Sequence, residues 1–118
     1  MIKLKTEAQI KNLVKEYLKS LGDKCCWFMP AANMYGRAGV SDFIVCFIGK
    51  FVAIECKAEG KRNNTSSLQK KFLDDVVVAG GSAWVVSCED DMRSKAVILE
   101  GWIAFDRTLQ VHMKARGA

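Results

Sequence analysis

The sequence predicts an α/β fold, a central mixed β-sheet flanked by helices in the order α-β-β-β-α-β-α. Three observations predict it. Apolar residues recur at helical spacing in three stretches; apolar residues alternate on either side of a Gly49-Lys50 pair; and a short apolar run, Ser82 to Ser87, sits between Gly80-Gly81 and the acidic cluster Glu89-Asp90-Asp91. The 118 residues suffice for one domain with one core. We read residues 1–118 as that single domain, with its core over about 6–105 and a C-terminal tail over 106–118.

The first helix carries Ile10, Leu13, Val14, Tyr17, Leu18 and Leu21 on one stripe, opened by a capping box, Thr6 to Gln9, and stopped by Gly22. Cys25 to Met29 reads as a short strand. A loop rich in small residues follows from Pro30 to Gly39, with Asn33, Tyr35 and Arg37. The hairpin comes next, then a polar, basic loop from Ala58 to Ser66. A second helix is expected from about Ser67 to Ala79, with Leu68, Phe72, Val76 and Ala79 inward; Ser82 to Ser87 forms the fourth strand. Glu89-Asp90-Asp91 opens a third helix bearing Met92, Ala96, Leu99, Trp102 and Ile103.

The hairpin holds the chemistry. Gly-X is a favoured two-residue turn, and if Gly49 and Lys50 form it, Ile48 faces Phe51, Cys46 faces Ala53, Ile44 faces Glu55 and Asp42 faces Lys57. Asp42, Glu55 and Lys57 then share one face, with opposed side chains roughly 5 Å apart at Cβ and diagonal ones about 7 Å. Glu55 sits between Ile54 and Cys56 in an apolar strand, where an unpartnered carboxylate costs several kcal/mol or stays protonated. A salt bridge to Lys57 is one solution. It leaves two acids against one base, and a hard cation such as Mg²⁺, bound by oxygen ligands and water, answers the surplus charge better.

Composition excludes several classes. No segment approaches the roughly 18 apolar residues of a membrane span, and the N-terminal residues lack the pattern of a signal peptide. The five cysteines include no C-x-x-C and read mostly as small buried hydrophobes in a reducing compartment, so an intracellular, cytoplasmic location is expected. A single histidine, His112, leaves no material for a His-based zinc hydrolase or a Ser-His-Asp triad. Eighteen basic against thirteen acidic residues give a net charge of +5, which suits a polyanionic partner.

The peripheral candidates each have two readings. Glu7 lies on the side of the apolar stripe and is placed either to reach the hairpin acids or to complement the helix dipole. Gln69 closes a second capping box, Ser66 to Gln69, or faces the loop after Lys57 to contact water or phosphate. Arg37, with Gly36 and Gly39, either grips a phosphate or belongs to a surface loop. Trp27, Trp84 and Trp102 are expected in the core. Tyr35 is the better candidate for base stacking.

The ordered set Glu7, Gly39-x-x-Asp42, twelve residues, Glu55-x-Lys57 and Gln69 resembles the PD-(D/E)XK nuclease superfamily. Within it the chain looks most like the VRR-NUC family, in particular its stand-alone viral and bacterial members, over about Thr6 to Ser87. The resemblance implies a restriction-endonuclease-like core and a phosphodiesterase dependent on Mg²⁺ or Mn²⁺, in a bacterium or a virus-infected cell. Asp42 and Glu55 correspond to the metal-binding acids, with the backbone carbonyl of Cys56 as a further ligand. Lys57 corresponds to the lysine that orients or deprotonates water, Glu7 to the helical acid near the metal, and Gln69 to the motif glutamine. Ser41 stands where the motif has proline, a departure in loop geometry more than in chemistry. Minimal members are associated with four-way DNA junctions and homodimers.

The expected function is therefore a structure-selective DNA endonuclease, with Arg37, Lys61, Arg62 and Tyr35 contacting DNA. The expected partners are branched DNA and a second copy of the chain, with an apolar contact from Val97 to Phe105; no membrane and no small-molecule substrate is expected. The competing reading is a non-catalytic nucleic-acid-binding module in which the acids and the lysine form only ion pairs.

Overall fold

A computed structural model describes residues 3–31 and 36–115. Its elements follow the expected order: α1 (Glu7–Ser20), a 3₁₀ turn (Gly22–Lys24), β1 (Cys25–Phe28), β2 (Phe43–Phe47), β3 (Lys50–Cys56), α2 (Ser67–Val78), β4 (Ser82–Val86) and α3 (Glu89–Ala115). The strands lie side by side in chain order. β1, β2 and β3 are antiparallel and β4 joins β3 in parallel through the α2 crossover, so the sheet is mixed.

Burial divides the sheet into two faces by strand alternation. Phe43, Val45, Phe47, Val52, Ile54, Cys56, Trp84 and Val86 form one core with Ile10, Val14 and Leu18 of α1 and with Met92 and Leu99 of α3. Trp27 and Trp102 pack against this cluster, as expected of core tryptophans. α2 lies over the opposite face on the β4 side, where Val76 and Phe51 close on Gly81. Both expected capping boxes are present: Thr6 with Gln9 starts α1, and Ser66 with Gln69 starts α2.

The hairpin register differs from the expected one. Phe47 pairs with Lys50, Val45 with Val52 and Phe43 with Ile54, so the turn residues are Ile48 and Gly49. Both have positive φ, 44° and 83°, as a tight hairpin turn of opposite hand requires. Isoleucine is a poor residue for that conformation. Tertiary contacts hold it there: Ile48 packs against the core, its N–H donates to Lys24 O at 3.1 Å, and Lys50, freed to join β3, sets its ammonium 5.3 Å from the Trp102 ring centre. Moving the turn by one residue slides the ladder by two and keeps its parity. Face assignments survive while partners change: continuing the ladder one step beyond Phe43 and Ile54 sets Asp42 opposite Glu55, not Lys57.

Within the expected C-terminal tail, α3 continues to Ala115, with no proline or glycine in 102–115. Two other expectations are corrected. Only Cys56 is fully buried, and Cys26 and Cys46 are exposed: they face each other on β1 and β2, on the part of the sheet that α2 leaves open. Leu68 and Ala79 are also exposed, because α2 presses on the sheet mainly through Val76. Among the described residues, no helix is long and apolar enough to cross a membrane.

Candidate functional site

Asp42 sits one residue before β2, and Glu55 lies in β3 at only 2% exposure. Asp42 Oδ2 accepts the Cys56 N–H at 2.7 Å, which ties the acid to the adjacent strand. A strand residue directs its N–H and C=O to the same side, so the Cys56 carbonyl also faces Asp42. The next peptide turns the other way: Lys57 N–H donates to Val86 O of β4 at 3.0 Å.

Glu55 is incompletely satisfied. Its Oε1 accepts from Gln69 Nε2 at 3.3 Å, whereas its Oε2 is buried with no hydrogen-bond partner among the described residues. Burial, with the adjacent Asp42 carboxylate adding to it, pushes Glu55 up to about 8, and Lys57 offsets this only in part. A carboxyl in that state is mostly protonated at neutral pH and half protonated only near pH 8. Burial, again reinforced by Asp42 and Glu55, drives the Cys56 thiol upward as well, so Cys56 offers its backbone and not a thiolate.

Lys57, at 7% exposure, donates to Gln69 Oε1 at 2.9 Å. That same oxygen accepts the Ser66 N–H at 3.0 Å. Gln69 thus caps α2, as one of its two readings expects, and the same side chain also links Lys57 to Glu55. Gly39 fixes the approach of the preceding loop to this helix start. It has φ +80°, and a Cβ there would fall 2.5 Å from the backbone carbon and oxygen of Leu68.

Glu7 is half exposed and reaches Lys11, whose Nζ lies 3.5 Å from Glu7 Oε2 and 3.4 Å from Asp42 Oδ1. Lys11 was not among the site residues expected from sequence, although its place one turn after Glu7 was visible there. Its arrival changes the charge count to three acids against two lysines. Among the described residues, no three His, Cys, Asp or Glu side chains are gathered to hold a metal, and Glu7 meets Asp42 through the shared Lys11 ammonium. Two carboxylates and a carbonyl remain, a donor set that fits Mg²⁺ or Mn²⁺, which keep several waters. The orphaned Glu55 oxygen is the observation that favours the fit.

The expected DNA-contacting residues are dispersed. Arg37 pairs with Asp75 of α2 and lies 5.1 Å from the Phe72 ring centre. Arg62 donates to Val85 O at 2.7 Å and to Asp91 at 2.9 Å, beside Lys61 in a polar cleft of about 590 Å³. Tyr35 lies outside the described residues. A second cleft, of about 490 Å³, runs from Phe28 and Pro30 past Gly36 to Asp42, giving that acid an open approach.

No family model matches the sequence, and no curated protein matches it. Among solved structures, one named "VRR_NUC domain protein" is similar to this chain at 21% identity, covering 80% of this chain and 87% of that one with a TM-score of 0.63. Identity that low speaks for the fold alone. The α/β architecture, with its four-stranded mixed sheet and flanking helices, is the fold of a VRR-NUC domain.

Proposed function

We propose that the protein is a DNA endonuclease that hydrolyses phosphodiester bonds with Mg²⁺ or Mn²⁺ held by Asp42, Glu55 and the Cys56 carbonyl. One observation carries the reading: a buried carboxylate oxygen of Glu55 has no partner among the described residues while a second acid stands opposite it. When bound, the metal would acidify a water and offset charge at the scissile phosphate. Lys57, held by Gln69, positions the attacking water, and acts as base only where its own proton has been lost. The cleft beside Asp42 admits the strand. Lys61, Arg62 and Arg37 contribute phosphate contacts that carry no base readout and weaken with salt.

Branched DNA, a four-way junction above all, is the substrate class that the resemblance supports. Two symmetric cuts require two centres, hence a two-fold homodimer. Val97, Ile98 and Phe105 of α3 are exposed and are the proposed contact. Light scattering over a dilution series tests this; a concentration-independent mass near that of the 13.1 kDa chain overturns it.

Lys11 favours the second reading, a binding module with an ion-pair cluster, because it brings the cluster nearer to charge balance. The decisive experiment incubates four-way junction, flap and linear duplex DNA with the protein in Mg²⁺, Mn²⁺ or EDTA, alongside Glu55→Ala. Metal-dependent cuts that vanish in the variant are expected. Intact DNA in every metal, with unchanged binding by Glu55→Ala, would sink the enzyme in favour of the module.

A further inference from the structure

The two oxygens of Asp42 are not equivalent. Oδ2 is committed to the Cys56 N–H at 2.7 Å, which leaves Oδ1 as the oxygen free to take a cation. Lys11 already occupies it, with Nζ 3.4 Å away. The same ammonium lies 3.5 Å from Glu7 Oε2, one helical turn back. On the far side of the acid pair, Glu55 Oε2 has no partner among the described residues. The site thus holds a counter-ion at Asp42 Oδ1 and leaves Glu55 Oε2 unpartnered among the described residues.

We propose that Lys11 is an internal counter-ion that competes with the divalent cation for Asp42 Oδ1, and that Glu7 serves as the second berth to which the lysine moves when it yields that oxygen. The inference rests on the metal-site reading above. Glu7 and Lys11 are spaced i, i+4 on α1, the spacing at which a glutamate and a lysine meet on a helix surface, so Lys11 can leave Asp42 without leaving the helix face. A metal-free protein then keeps its acids from repelling one another, and a loaded one keeps a positive charge beside the cleft. Glu7 acts through Lys11, as a positioning residue and not as a ligand.

Mn²⁺ binding, measured by titration calorimetry on wild type, Lys11→Met, Lys11→Arg and Glu7→Gln, tests the proposal without reference to cleavage. Removing one charge at contact distance from a partly buried acid should tighten the Mn²⁺ Kd of Lys11→Met roughly five- to twentyfold. Lys11→Arg keeps the competitor and should stay within about twofold of wild type. Glu7→Gln removes the second berth and should weaken binding about threefold. In EDTA, Lys11→Met should melt below wild type, and its stabilisation by Mn²⁺ should be the larger. Wild-type binding that Glu55→Gln abolishes but Lys11→Met leaves unchanged or weaker overturns the competition alone. Wild type that binds no Mn²⁺ overturns the site reading and this inference with it. Should Lys11→Met fail to fold, the Glu7→Gln titration decides: binding equal to or tighter than wild type overturns the proposal.

Discussion

Lys57 and Gln69 meet through a single oxygen: Gln69 Oε1 accepts the lysine ammonium at 2.9 Å while it also accepts the Ser66 N–H that opens α2. Helix capping and lysine placement can be separated by substitution. Gln69→Ala loses both and should cost about 1 kcal/mol of stability and roughly tenfold to a hundredfold in DNA cleavage. Gln69→Glu preserves the capping box but sets a carboxylate against Glu55; it should melt near wild type and still lose cleavage. Thermal melts paired with single-turnover rates check this, and equal cleavage by Gln69→Glu and wild type would confine Gln69 to capping.

The raised acid at Glu55 makes metal-free stability depend on pH. Its folded value of about 8 stands above the ordinary 4.5, so the folded state holds this proton more tightly than the unfolded chain does. The resulting stabilisation is complete below the unfolded value and is lost as pH rises through the folded one. In EDTA, wild type should lose roughly 5–10 °C of Tm between about pH 5 and pH 9. Glu55→Gln should flatten that decline and melt higher at the alkaline end. Parallel profiles for the two proteins would refute it.

Two glycines with nearly the same backbone offer an internal control. Gly39 and Gly49 have φ +80° and +83°, yet a Cβ on Gly39 meets the Leu68 backbone at 2.5 Å and one on Gly49 meets nothing within 4 Å. Gly49→Ala should cost about 1 kcal/mol, the conformational term alone. Gly39→Ala should cost roughly 2–4 kcal/mol and also reduce cleavage, because it moves the helix turn that carries Gln69. Denaturant midpoints would show the contrast, and equal losses at both positions would argue against close approach at Gly39.

Arg37 is available to DNA only after leaving Asp75. Asp75→Asn should therefore tighten binding to duplex DNA about two- to fivefold at low salt, with little effect on folding, since the pair is exposed. In the Arg37→Ala background the same change should do nothing beyond the loss of one repulsive charge. Fluorescence anisotropy across a salt series measures both, and an equal gain with and without Arg37 would remove it from the interface.

Much of the fold and part of the site were legible because they depend on local pattern. Helical spacing and Ser/Thr-x-x-Gln boxes placed α1 and α2, and strand parity put Asp42, Glu55 and Lys57 on one face whichever residues formed the turn. Register was not legible, because Ile48 takes a conformation that local preference disfavours and contacts with the core and Lys24 maintain. Lys11 was hidden for a related reason. Its spacing from Glu7 can be read along one helix, but its contact with Asp42 exists only once α1 lies against the hairpin. The exposure of Cys26 and Cys46 follows from where α2 sits across the sheet, which alternation within a strand does not encode.

The hairpin also limits how the gene for such a chain can change in length. Asp42 and Glu55 are separated by five ladder residues on each side of a two-residue turn. One residue inserted between them turns one carboxylate to the opposite face of the sheet unless a bulge absorbs it. A pair inserted symmetrically at the tip only adds a rung far from the acids. Insertions and deletions compatible with the centre should therefore come in twos at the turn, whereas the loops on either side of the hairpin are bound by no such parity.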